Sequence, residues 1–509
     1  MNNSTRRDFL ADVGRGMLVA GVGAPLATDL GLVSKTWAAE EAKRLSFGAM
    51  EPLVALLQET PPDKLLPILV QKYRSGTDLR TLVAAGALAN ARTFGGQDYV
   101  GFHTFMALAP AFEMAQALPQ AERPLPVFKV LYRNSTRIRD HGGVRSEVLH
   151  PVEAAPLPAD RIGGEVLRDA VRRKDKSAAE KTFAAIAQGE VGEAYNHLQY
   201  TVQDEVDVHR IVLAWRAWAT LDVTGKEHAH TLLRQSVRYC MRNDPGRHSP
   251  VRAILPKLLD QYHLLDKELG SRQPDDAWVE RFAAAMRTSG SDRAAEAAAA
   301  ALAEGIAPDA IGEAISLAAN QLVLCDRGRT EDDGPKLKGS VHGDSVGVHA
   351  SDSANAWRNI ARVSNHRNTV ASLILGAYHT AENDGNLSKS PFPTVEQLEK
   401  VGTRDSARLL QETEDAVQNQ DQYRAMALVH HYGALGYRPE PVFALLLRYA
   451  ISEDGALHAE KYYRTVTEEF ATTRPAFRWR QLVALARVTA SEYGTRAPGY
   501  AEARQLLRV

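Results

Sequence analysis

Val206-Asp207-Val208-His209-Arg210-Ile211-Val212-Leu213-Ala214-Trp215-Arg216-Ala217-Trp218-Ala219-Thr220-Leu221 decides the fold class of this 509-residue chain. Val208, Ile211, Val212, Trp215 and Trp218 recur at three- and four-residue spacing, which gathers them along one face of an α-helix. The same period runs through Leu79–Ala91, Gly101–Ala117, Ile311–Leu324, Val370–Ala381, Val442–Ile451 and Arg478–Ala490. Alternating β-branched runs are almost absent, so a large all-α, multi-helical fold with little or no sheet is expected. Helix starts are marked by Ser177 with Glu180 three residues on, by Ser351-Asp352 ahead of Ala354, and by Thr394 followed by Glu396 and Gln397. Three stretches rich in Gly, Pro, Asp or Ser, at 140–164, 326–348 and 382–393, read as surface excursions. The middle one divides the chain, predicting lobes at 40–325 and 349–509 with any metal site between them. No fixed period of repetition supports a solenoid.

Residues 1–39 read as an address rather than as fold. Ser4-Thr5-Arg6-Arg7-Asp8-Phe9-Leu10 carries paired arginines ahead of an apolar, glycine-containing stretch at Met17–Ala27, the pattern of a twin-arginine export signal. That route carries proteins already folded, often with a cofactor inserted, to the periplasm or beyond. The export machinery is then one partner, and no later segment is apolar enough to span a membrane.

Composition removes several classes. Lys plus Arg total 61 against 62 for Asp plus Glu, so no global charge draws the chain to nucleic acid or anionic lipid. Two cysteines, Cys240 and Cys325, permit one disulfide but no cysteine-built zinc or iron–sulfur centre.

Several short patterns mimic chemistry. Gly343-Asp344-Ser345-Val346-Gly347 spells a nucleophile elbow, but a charged loop precedes it where a strand is needed. His228 and His230 point about 200° apart on a helix, unsuited to one ion. Histidines standing singly in patterned segments survive: His103 in Phe102-His103-Thr104-Phe105-Met106, His197 in Tyr195-Asn196-His197-Leu198, His349 just before a helix, and His458 one turn ahead of Lys461. Single histidines from separate helices are how an all-helical protein builds a metal site. His263 and His379 are reserves for that set.

Phe102–Ala109, Tyr195–Val202, His349–Arg358 and Asp454–Lys461 resemble, in order, four segments of the questin oxidase-like family, across about residues 95 to 465. Phe102, Gln199, Tyr200 and Asp352 depart from its pattern. The resemblance implies a mononuclear non-haem iron held by His103, His197, His349 and His458, in an oxygenase acting on an aromatic or other oxidisable small molecule. Neutral imidazoles suit zinc or copper as well as iron. A zinc-type hydrolase or lyase, and a non-catalytic helical binding protein, are the alternatives. Lys461 is a neutral general base, a carbamate ligand, or a surface residue paired with Glu460 or Asp454. Arg358, beside Trp357, is a candidate for holding substrate.

Overall fold

The computed structural model describes residues 44–509 except residue 384, so the expected export signal lies outside the described residues. Among them there are helices, turns and four isolated β-bridges but no strand. No described helix is long and apolar enough to cross a membrane.

Eleven helices matter for the site: α1 (Leu79–Phe94), α2 (Tyr99–Gln116), α3 (Pro124–Asp140), α4 (Val191–Val202), α5 (Val208–Ala219), α6 (Pro308–Cys325), α7 (Val346–Val363), α8 (His366–Glu382), α9 (Glu440–Ser452), α10 (His458–Thr472) and α11 (Trp479–Glu492). Their starts are set by short polar side chains that satisfy backbone donors left without intrahelical partners. Asp98 accepts from Gly101 N ahead of α2, Asp207 from Arg210 N ahead of α5, and Ser345 from Val348 N ahead of α7. The serine of the elbow-like pattern is therefore a helix cap. The expected start near Ser351 moves forward to Val346, which places His349 inside α7 rather than before it.

Helix α2 is buried on nearly all sides from Gly101 to Ala111, and α7 from Ala350 to Ala361. These two, with α5 and α10, pack as a closed set: α2 on α5, α5 on α7, α7 on α10 and α10 on α2. One hydrophobic cluster runs from Phe47 to Ala503, and α6 packs against α7 across the 326–345 connection. Two of the four central helices precede that connection and two follow it.

Candidate metal centre

The four central helices all begin at the same end of their bundle, and each carries a histidine in its first turn or two: His103 on α2, His209 on α5, His349 on α7 and His458 on α10. The rings form a closed circuit. Ring centres are 4.9 Å apart for His103 and His209, 5.9 Å for His209 and His349, 5.4 Å for His349 and His458, and 5.2 Å for His458 and His103. His349 Nε2 and His458 Nε2 stand 3.3 Å apart.

Burial keeps the imidazoles neutral. His103 is pushed down to about 2, and His209 and His349 to about 4, first by loss of solvent and then by charges that include Lys461. His458 is held well below the ordinary range for the same two reasons. Four helix N-termini, each worth roughly half a positive charge, add to the cost of an imidazolium here. The backbone selects a tautomer at His103, whose Nδ1 lies 2.7 Å from the Tyr99 carbonyl. A carbonyl only accepts, so Nδ1 carries the proton and Nε2 keeps a bare lone pair. His103 Nε2 and His209 Nε2 are both buried without a hydrogen-bond partner. An orphaned imidazole lone pair in a dry site is costly unless something accepts it.

Neutral imidazoles are a donor type that suits transition-metal ions. A metal–nitrogen bond of ~2.1 Å places neighbouring imidazole centres ~4.5–5.2 Å apart over right-angled to tetrahedral arrangements. The measured separations begin inside that range and overshoot it by less than about 1 Å. Among the described residues no group of three or more His, Cys, Asp or Glu side chains is placed to hold a metal ion.

Lys461 is 3 % exposed, which rules out the surface alternative. The expected partners are taken, Glu460 by Lys129 at 2.7 Å and Asp454 by Arg133 at 2.9 Å. Burial pushes Lys461 down to about 8, against the opposing pull of Asp352, which is also fully buried and accepts from Thr465 Oγ1 at 2.7 Å.

His197 does not join the circuit. It sits half-buried on α4, where its Nδ1 accepts from Gly164 N at 3.1 Å. His209 takes the fourth place instead. Arg358 is likewise elsewhere: its Nη1 pairs with Glu469 at 2.6 Å and its Nη2 donates to the Thr472 carbonyl at 3.2 Å, as a structural clamp between α7 and α10. Of the reserves, His263 is exposed, and His379 is buried and accepts from Trp357 Nε1 at 3.3 Å.

A cavity of about 400 Å³ reaches the circuit at His103 and His458, walled by Tyr99, Arg133, Lys336, Asp344, Asp454 and Glu492. His458 is delivered by an unusual turn. Ala456 and Leu457 both have positive φ, +48° and +67°, a conformation that non-glycine side chains resist. Glu492, the last residue of α11, accepts from Gly343 N at 2.8 Å and is pushed up to about 7 by burial, with Glu460 and Asp344 adding to the effect. Neither His209 nor Glu492 has a sequence pattern that would mark it. The histidine reads as a polar residue following a cap, and the glutamate as the end of an amphipathic helix.

No family model matches the chain, and no curated protein or solved structure is similar enough to match it.

Proposed function

We propose that His103, His209, His349 and His458 hold one transition-metal ion, and that the protein is an oxygenase using non-haem iron on a small organic substrate admitted through the cavity. One observation carries the reading: four neutral imidazoles meet in a closed circuit at four helix N-termini, and the Nε2 atoms of His103 and His209 are buried without a hydrogen-bond partner. Iron bound there would supply a redox-active Lewis acid with a low ligand charge, suited to O₂ and an organic partner. The chain's own groups do the rest. Tyr99 fixes the His103 tautomer, the apolar packing of α2 and α7 excludes water, and Lys461 stands behind the rings as a buried amine able to exchange a proton. Arg358 has no part in this, being committed to Glu469. Export by the twin-arginine route belongs to the same reading and rests on the sequence alone, on Ser4–Leu10 and the apolar stretch Met17–Ala27.

Metal analysis of the purified full chain tests it. We expect close to one ion per chain, lost in His209→Ala and retained in His197→Ala, with helical circular dichroism unchanged in both. Metal-free, fully stable protein would end the proposal. Turnover that proceeds equally well without O₂ would replace the oxygenase with the zinc-type hydrolase.

A further inference from the structure

Three carboxylates wall the cavity, and two of them are spent. Asp344 is gripped by Arg329 at 2.7 Å and Lys336 at 2.5 Å, and Asp454 by Arg133 at 2.9 Å. Glu492 differs. Its Oε1 takes the Gly343 N–H, while Oε2 has no hydrogen-bond partner and no cation within 4 Å among the described residues. Two glycines make the room it occupies. A Cβ on Gly343 would stand 2.3 Å from His458 Cβ and 2.9 Å from Glu492 Oε1, and one on Gly455 would stand 2.7 Å from Glu492 Oε2. The space beside this carboxylate is therefore kept open from two separate loops, next to the residue that delivers the His458 ring.

Among the side chains of the wall, Arg133 and Lys336 are already paired with Asp454 and Asp344, so they do not offset Glu492, and the charge of an ion on the imidazoles would be common to wild type and Glu492 variants and cancel in their comparison. Behind Glu492, Lys129 is turned away: it donates to the Ala450 and Glu453 carbonyls at 2.8 Å each and pairs with Glu460. A free carboxylate oxygen facing a cavity accepts hydrogen bonds and repels anions at short range, where the low dielectric amplifies both effects.

We infer that Glu492 is the specificity-determining residue of the cavity, its Oε2 accepting a hydrogen bond from a neutral, hydroxyl-bearing ligand and rejecting carboxylate ligands of the same shape. The inference rests on the reading that this cavity is where a ligand meets the four imidazoles, and it adds the chemical class that enters.

A matched pair of fluorescent probes, 2-naphthol and 2-naphthoate, tests it by titration of the metal-loaded full chain at roughly pH 8, where a carboxyl is ionised. Glu492→Gln keeps an oxygen for the Gly343 N–H and removes only the charge. The affinity ratio of naphthol to naphthoate should fall about tenfold in that variant, equivalent to about 1.4 kcal/mol, with bound metal and helical content unchanged. If the glutamine variant does not fold, Glu492→Met, of similar volume and uncharged, should show the same fall. Asp454→Asn should leave the ratio as it is. An unchanged ratio in the Glu492 variants, an equal loss for both probes, or no binding of either probe to the wild type overturns the inference. A ratio that falls as expected in protein carrying no metal sustains Glu492 and overturns the metal centre alone.

Discussion

The hydrogen bond from His103 Nδ1 to the Tyr99 carbonyl spans four positions of one helix, and it decides which nitrogen of the ring carries the proton and which keeps a lone pair. Such outer partners tune a ligand as much as the ligand itself does. Gly343 acts at His458, the neighbouring ring of the circuit, by withholding an atom. Gly343→Ala would put a methyl 2.3 Å from His458 Cβ, a distance that real structures do not tolerate. We expect it to cost about 1–3 kcal/mol by overpacking and to weaken metal retention, read by urea denaturation and metal analysis. Residue by residue, His103, His349 and His458 were legible because each breaks an apolar or patterned stretch. His209 was not, because two places after a capping aspartate a polar side chain is the ordinary choice. Only the approach of α2 and α7 turns it inward.

At the scale of helices, α3 and α10 are joined by a buried ion pair, Lys129 with Glu460, whose side chains are 1 % and 0 % exposed. Removing one partner of such a pair strands the other charge in a dry interior. Lys129→Met should therefore destabilise the fold by about 3–5 kcal/mol, and the double variant Lys129→Met with Glu460→Met should recover most of it, as measured by denaturant unfolding. Helix starts show how far local pattern reaches. Thr394 forms the expected capping box with Gln397, because every participant lies within four residues. The start expected at Ser177 falls instead at Asp175, whose side chain accepts from Ala178 N. Both residues are competent caps, and nothing local separates them. The start of α7 was misplaced for a different reason: Gly347 lies against α6, where a Cβ would stand 2.6 Å from Val323 N. The helix can begin early only because a distant helix is there to receive it.

Across the whole molecule the all-helical class was legible, since the 3.6-residue period recurs from end to end and few segments offer a competing one. The gathering of helix N-termini was not, because it depends on the order in which helices pack. Buried neutral histidines give the fold a defined weakness in acid. His230, His342 and His379 are each held near 4 by burial, against about 6.5 in an unfolded chain. Between those values the unfolded state binds protons that the folded state refuses, so stability falls as the pH drops from about 6.5 towards 4. Thermal melting across that interval should show the decline in metal-free protein, and a flat melting temperature down to about pH 4 would contradict these burials.

The circuit of imidazoles also has a consequence for how such a centre matures. His349 and His458 alone are 109 positions apart, and the other two donors lie on helices before the 326–345 connection. No run of sequence short enough to fold early contains more than two of the four. A bound ion would thus act as a certificate of completed folding, captured only after the last helices dock. It would then fasten distant parts of the chain together, slowing their separation far more than it shifts their equilibrium before capture.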